Sequence, residues 1–244
     1  MKVLKKIYRE LLAEITESNQ ISYDTVKFCF QRGTLYPTHT DNLGLLVVGR
    51  ACNGWTAYSD DVDDLFGEGD SSMFSTEPFS FLKEENNSHY NSKQSAFWRV
   101  IKSITATFHG KERWSDYIAW TNLYKVSPEE GNPNRTLGGL QYKKCVEILQ
   151  HEVEMLSPGI IIFFTGDDSK DWLTEDFIRA ACGGIVPSFR QKKWDKYRLL
   201  YSQSINGRTI IITEHPQGKK ENLHIEAIIS CIQESHQPKQ ELLI

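Results

Sequence analysis

The sequence predicts an α/β fold, with a mostly parallel sheet that carries helices on both faces. Two observations support this prediction. Four short apolar runs are typical of buried strands, because a parallel strand is covered on both faces and its apolar residues need not alternate with polar ones. Segments with apolar residues at helical spacing alternate with these runs. The chain has 244 residues, 39% of them hydrophobic, which is enough for one domain over residues 1–244.

The predicted elements follow one another along the chain. Apolar residues recur at helical spacing over residues 2–18, which are predicted to form an amphipathic helix rather than a signal peptide. The four buried strands are predicted at 43–49, 117–123, 159–166 and 208–213. A further strand at 197–201 precedes the last one, and Asn206-Gly207 between them favours a tight hairpin turn. Helices are predicted in the segments around 95–108, 145–156, 169–182 and 225–232.

Residues 55–94 form a long acidic insertion after the first predicted strand. This segment has nine acidic residues and two lysines, a net charge of −7, whereas the whole chain has a net charge of −4. Loops of this length are usually functional or disordered. Because an acidic segment beside a binding site repels a phosphate backbone, its charge counts against nucleic acid unless the segment folds away from the site.

The five cysteines are widely spaced and include no C-x-x-C pair. This pattern, together with the expected absence of a signal peptide, favours reduced thiols and a cytoplasmic location. It disfavours a zinc or iron–sulfur site built from neighbouring cysteines, so we expect no metal and no cofactor. No apolar run reaches the roughly 18 residues that a membrane span needs, so no membrane partner is expected.

Three predicted strands end in residues that are candidates for a site, since ligands bind at the carboxyl ends of strands in parallel α/β sheets. Gly49 ends the first strand and lets backbone amides approach a ligand, although a tight turn explains it equally well. Asn122 ends the second strand, where its carboxamide can recognise the edge of a planar base or cap a loop. His215 follows the fourth strand, where it can donate to an oxyanion or be an ordinary turn histidine.

Other candidate residues have less specific patterns. Trp55 and Phe66 are candidates for stacking on a flat ligand, although most aromatic residues of the acidic insertion are expected to anchor it to the body of the protein. Lys219 and Lys220 precede the last helix and can hold a phosphate or form a solvated helix start. A basic cluster has the same two interpretations and consists of Arg190, Lys192, Lys193, Lys196 and Arg198.

Taken together, the strand ends resemble those of the uracil-DNA glycosylase superfamily. The similar features are Val47-Val48-Gly49, Thr121-Asn122-Leu123, Phe164-Thr165-Gly166 and the segment 211–216, in this order over about residues 43–232. The resemblance implies a three-layer α/β/α sandwich around a four-stranded, mostly parallel sheet. It also implies a DNA-repair hydrolase, in which a flipped base stacks on an aromatic ring, Asn122 recognises the base and His215 stabilises the departing base anion.

One motif departs from the family pattern. Active members carry an acidic or amide residue one or two positions after the first-loop glycine, commonly followed by proline. This chain has Arg50, Ala51 and Cys52 at these positions. The nearest amide side chain is Asn53, displaced by two or more positions, and Asn53 and His215 are our candidate catalytic residues.

Three functional hypotheses remain. The first is an N-glycosyl hydrolase that acts on a damaged or modified base in nucleic acid or in a nucleoside. The second is a base- or nucleotide-binding module on the same fold without catalysis. The third is a cysteine hydrolase that pairs Cys52 with His215, although Arg50 stands where a nucleophile elbow needs a small residue.

Overall fold

The computed structural model describes residues 1–18, 24–36, 44–51, 59–67, 79, 92–166, 172–202 and 208–236. In chain order, the α-helices are α1 (Lys2–Glu17), α2 (Val62–Leu65), α3 (Ala96–His109), α4 (Arg135–Leu156), α5 (Glu175–Ala181) and α6 (Glu221–His236). The strands are β1 (Thr25–Lys27), β2 (Gln31–Arg32), β3 (Leu45–Gly49), β4 (Ile118–Asn122), β5 (Val126–Pro128), β6 (Ile160–Phe163), β7 (Phe189–Trp194), β8 (Tyr197–Ser202) and β9 (Thr209–Ile212).

Within the described ranges, seven strands form one mixed sheet in the order β2-β4-β3-β6-β9-β8-β7. The neighbours β4, β3, β6 and β9 run parallel to one another. β2 pairs antiparallel with β4 at one side, while β8 and β7 extend the other side as an antiparallel hairpin. The expectation of a four-stranded sheet is corrected accordingly, because three further strands pair with its edges. β1 and β5 form a separate antiparallel pair.

Helices cover both faces of the sheet, so the fold has three layers. On one face, α3 and α6 pack against side chains such as Val47 and Ile162. On the other face, α4 and α5 pack against their neighbours Val48 and Ile161. Each strand contributes to both cores because successive side chains point to opposite faces. α1 lies outside this sandwich and packs on α4.

Capping residues determine where the two helices next to the strand ends begin. At the start of α3, Ser95 Oγ accepts from the backbone N–H of Trp98 over 3.5 Å. At the start of α4, Asn134 Oδ1 accepts from the backbone N–H of Leu137 over 2.9 Å. α4 begins at Arg135, ten residues before the predicted helix. The sequence pattern indicated only its second half, because the first turns contain two glycines and several polar residues instead of an apolar stripe.

Residues 59–67 of the acidic insertion pack beside the N-terminal helix. Asp63 Oδ1 lies 2.9 Å from Lys5 Nζ of α1, and Asp60 Oδ1 lies 2.6 Å from Lys27 Nζ of β1. These carboxylates are therefore paired with lysines of the body of the protein. Most of the remaining insertion lies outside the described residues.

Candidate functional site

The carboxyl ends of β3 and β4 lie side by side. Gly49 is the register partner of Asn122 in this parallel pair, and Leu123 N donates to Gly49 O over 2.9 Å. A Cβ atom at position 49 would overlap Asn122 Oδ1. Glycine is therefore required at the end of β3 for the Asn122 carboxamide to lie against it.

The Asn122 carboxamide has an unused donor. The residue is 1% exposed, and its Nδ2 has no hydrogen-bond partner within the described part of the chain. A buried amide donor without an acceptor costs about 1–3 kcal/mol. Such an atom fits a site in which a ligand supplies the acceptor, as a carbonyl oxygen of a nucleobase does.

A buried ion pair contacts the backbone of Asn122. Lys125 Nζ donates to the main-chain oxygen of Asn122 over 2.7 Å, to Thr121 Oγ1 over 2.5 Å and to Glu152 Oε2 over 2.9 Å. Thr121 Oγ1 donates to the same Glu152 oxygen over 2.7 Å. The side chains of Lys125 and Glu152 are both 0% exposed. Each charge therefore depends on the other for its stabilisation.

Further polar contacts connect this ion pair to α1 and α4. Tyr8 OH of α1 donates to Glu152 Oε1 over 3.5 Å. Gln141 Oε1 of α4 accepts from the backbone N–H groups of Lys125 and Val126 over 3.0 and 2.9 Å. Burial raises the pKa of Glu152, and the charge of Lys125 opposes this change. The segment that follows β4 is thus fixed to two helices through buried polar side chains.

His215 follows β9 and lies on the same face of the sheet as Asn122. Its ring stacks on Phe97 of α3, with centroids 5.7 Å apart and an interplanar angle of 5°. The same Phe97 ring lies 6.4 Å from the ring of Trp120. Trp120 and Asn122 are two residues apart on β4, so they point to one face. Both candidate polar side chains are therefore on the α3 side of the sheet.

Hydrogen bonds and nearby charges define the state of the His215 ring. Gln217 N donates to Nδ1 over 3.3 Å, and Lys219 Nζ donates to the main-chain oxygen of His215 over 2.7 Å. Because Nδ1 accepts, the neutral ring carries its proton on Nε2. Burial, with the positive charges of Arg50 and Lys219, lowers the pKa of His215 to about 4. At neutral pH, His215 is therefore a neutral donor.

A second histidine supports the end of β9 from α6. His224 is 0% exposed, and its Nε2 lies 2.7 Å from Thr213 Oγ1. Its ring stacks on Trp194 at 4.0 Å and 2°. Burial lowers the pKa of His224 to about 3, with smaller effects from Lys219 and His215. The β9 end is thus held by a neutral side chain.

The loop after β3 begins with a cation. Arg50 Nε donates to Thr165 O over 3.0 Å, and the guanidinium lies 5.8 Å from the ring centroid of Trp172. A Cβ atom at Gly166 would be 3.5 Å from Arg50 Nη2 and 3.8 Å from both carboxylate oxygens of Glu214. Burial lowers the pKa of Arg50, and Glu214 opposes this change. Glu214, in the loop after β9, therefore places a carboxylate near the Arg50 guanidinium at these strand ends.

A cavity of about 630 Å³ opens between the start of α3 and the loop after β9. Phe97, His215 and Gln217 line it, together with Arg99. Asn122 is not among its lining residues, because the carboxamide is buried. One ligand can contact both Asn122 and His215 only if it reaches this buried carboxamide as well as the cavity.

Phe66 packs against the N-terminal helix and the segment after β1. Its ring lies 5.2 Å from that of Tyr8 and 6.3 Å from that of Phe30. These contacts anchor the insertion to α1, as expected for most of its aromatic residues, and base stacking by Phe66 stays a prediction. The ring next to His215 in the structure is that of Phe97.

The two lysines predicted to hold a phosphate have different surroundings. Lys219 donates to the main-chain oxygen of His215 and lies 3.8 Å from Glu214 Oε2, so it organises the loop. Lys220 Nζ lies 3.1 Å from Asp195 Oδ1, with 64% of its side chain exposed. Only Lys220 is oriented toward solvent, and phosphate binding by either residue stays a prediction.

Three predicted site residues, Cys52, Asn53 and Trp55, lie outside the described residues. The catalytic role of Asn53, stacking by Trp55 and the thiol chemistry of Cys52 therefore stay predictions. The sequence analysis assigned no role to Lys125, Glu152 or Glu214, although Lys125 and Glu214 lie in the segments that follow predicted strands. A lysine within the apolar end of a strand was the available signal for Lys125, but its buried partner is 27 residues away.

Family comparison gives one match for this α/β chain. A family model described as the uracil DNA glycosylase superfamily matches residues 73–225, which is more than half of the chain. The chain belongs to the uracil DNA glycosylase superfamily. Asn122 and His215 lie within the match, whereas Gly49 and Arg50 precede it. No curated protein matches the chain.

Among the described residues, no helix is long and apolar enough to cross a membrane. In the same residues, no group of three or more His, Cys, Asp and Glu side chains is placed to hold a metal ion.

Proposed function

We propose that the protein recognises a nucleobase and hydrolyses the N-glycosidic bond of a damaged or modified base in DNA. The observation that carries this proposal is the buried, unpartnered Nδ2 of Asn122 on the same face of the sheet as the neutral donor His215. Membership of the superfamily supports base recognition as the general function.

Asn122 would recognise the edge of the base. Its Nδ2 can donate to a carbonyl oxygen, and its Oδ1 can accept from a ring N–H or an exocyclic amine. Because the carboxamide is 1% exposed, a ligand that leaves Nδ2 unpaired keeps the existing cost of about 1–3 kcal/mol. The site therefore favours bases that present a hydrogen-bond acceptor to Nδ2, because only those bases remove this cost.

His215 would stabilise the leaving group. The bond between C1′ and the base nitrogen breaks with both electrons moving to the base, so negative charge develops on its ring and carbonyl oxygen. A neutral imidazole donates Nε2–H to that oxygen without transferring the proton. A water molecule then bonds to C1′ of the oxocarbenium-like sugar and releases a proton.

A second candidate function is base or nucleotide binding without turnover. Arg50 and Ala51 stand where active family members carry an acidic or amide side chain, and the Arg50 guanidinium is engaged by Thr165 O and faces Trp172. With a cation at this position, water activation has to come from another group. Asn53 stays our candidate, and the Cys52 hydrolase is retained only as a prediction from sequence.

The test is base release from oligonucleotides that contain uracil, hypoxanthine or xanthine. We expect free base from at least one substrate, and His215→Ala should lower the rate by roughly 100-fold, as loss of one preorganised donor does. Binding of the oligonucleotide by His215→Ala should change little, because the donor acts on charge that develops in the transition state.

Glu226→Ala, at an exposed position of α6, serves as the control variant. Base-specific binding without release from any substrate would support the binding module and exclude the hydrolase. No preference for any modified base in either assay would exclude both functions.

A further inference from the structure

We infer that Lys125 and Glu152 form a positioning pair for Asn122: the buried ion pair fixes the backbone at the end of β4 so that the carboxamide is preorganised for a ligand. This inference rests on the proposed function of Asn122 as the base-recognising residue. Neither Lys125 nor Glu152 is assigned to contact the base.

The contacts converge on the last two residues of β4. Lys125 Nζ reaches the main-chain oxygen of Asn122 at 2.7 Å and the side chain of the preceding Thr121 at 2.5 Å. Glu152 then receives both the Lys125 ammonium and the Thr121 hydroxyl on the same oxygen, at 2.9 and 2.7 Å. A shift of the β4 end would break several charge-assisted hydrogen bonds at once.

A gain in folding stability does not explain why these two charges are buried. Two charges that are both 0% exposed lose their hydration, and apolar residues of similar size in such positions are often equally or more stabilising. Unlike an apolar pair, this ion pair donates a directional hydrogen bond to the main-chain carbonyl group of Asn122. The carboxamide itself is restrained on its other side by contact with Gly49.

The chain offers a second lysine–glutamate pair for comparison, with side chains 20% and 39% exposed instead of buried. Lys144 of α4 pairs with Glu10 of α1, so it joins the same two helices without contacting Asn122. The variant K144M/E10L therefore removes charges of the same type and controls for a general loosening of α1 and α4. The test variant is K125M/E152L, in which apolar chains replace both buried charges.

The first measurement uses the ligand-free protein and the side-chain amide NMR signals of Asn122, assigned by their loss in Asn122→Ala. We expect one ordered pair of signals in the parent protein and in K144M/E10L, and shifted, broadened or multiple signals in K125M/E152L. Unchanged Asn122 signals in K125M/E152L would overturn the inference. If this variant does not fold, Thr121→Val keeps the shape of the site while removing the shared hydroxyl, and the same criterion applies.

The second measurement is the preference for a uracil-containing over a cytosine-containing single-stranded oligonucleotide, because cytosine presents an amine where uracil presents a carbonyl acceptor. Asn122→Ala should reduce this preference roughly tenfold in the parent and control backgrounds, but less than about threefold in K125M/E152L, because the carboxamide is already misplaced. Equal losses in all backgrounds would contradict positioning. If the parent protein shows no base preference at all, the proposed function fails, while the NMR measurement still decides the positioning role.

Discussion

The carboxyl ends of β4 and β9 hold their polar side chains in different ways. At β4, Asn122 is 1% exposed, and charged groups contact its backbone from behind. At β9, His215 is partly exposed beside a cavity, Lys219 contacts its main-chain oxygen, and the supporting His224 is neutral. A side chain that recognises a ligand by hydrogen bonds benefits from rigid placement, whereas a side chain that stabilises developing charge must be accessible to the ligand. Under the proposed function, this difference would separate the strand end that recognises the base from the strand end that stabilises the leaving group.

The largest effect on the free energy of unfolding should come from removing one partner of the buried ion pair at the end of β4. Lys125→Met leaves Glu152 buried without its cation, and we expect a loss of about 3–5 kcal/mol in the free energy of unfolding. Lys220→Ala at the β9 end removes an exposed partner of Asp195 and should cost less than about 1 kcal/mol. Urea unfolding of both variants at pH 7 measures the difference. Similar losses in the two variants would contradict the contrast between the ends.

Sequence periodicity was sufficient for the central part of the fold. The apolar runs at Leu45–Gly49 and Ile160–Phe163 are strands with every residue buried, and a run of that kind has few other interpretations. β7 was missed because Phe189–Trp194 is a polar edge strand with exposed residues, so it has no apolar run and was interpreted as a basic cluster. Edge strands are stabilised by pairing, which a local pattern does not contain.

Individual site residues were predictable where the end of a strand determined their position. Asn122 and His215 follow strands, so the topology of the sheet brings them to one edge. The contacts of Phe66 with Tyr8 and Phe30 were not predictable, because apolarity predicts burial but not the surface against which a ring packs. Lys125 and Glu152 were missed because a charged residue is normally exposed, and only their mutual contact explains burial.

A second prediction concerns the space at the two strand ends. Gly49→Ala places a methyl group against Asn122 Oδ1, and we expect a loss of as much as about 3 kcal/mol, as in other overpacked cores. At the β9 end, Gly218 has φ +73° and no atom within 4 Å of an added Cβ, so Gly218→Ala should cost only about 1 kcal/mol of backbone strain. Urea unfolding measures both losses.

The Asn122 side-chain amide signals distinguish the two glycine variants. They should move in Gly49→Ala and stay in place in Gly218→Ala. A stable Gly49→Ala protein with unmoved signals would mean that the carboxamide is not held against β3.

The smallest of the three effects is the pH dependence of stability that His224 causes at the end of β9. The pKa of His224 falls from its ordinary value of 6.5 to about 3 in the folded protein. Below pH 6.5 the unfolded chain binds a proton that the folded protein does not, so stability is fully present above that pH and is lost as pH falls. Between pH 7 and pH 5, His224 should remove about 2 kcal/mol from the free energy of unfolding.

His224→Phe keeps a ring next to Trp194 and removes this titration. The variant should be less stable at pH 7, because Thr213 loses its partner, yet its stability should fall by about 2 kcal/mol less between pH 7 and pH 5. His215, which also titrates low, remains in both proteins and cancels in the comparison. Equal falls in the two proteins would show that His224 is protonated in the folded protein as readily as in the unfolded chain.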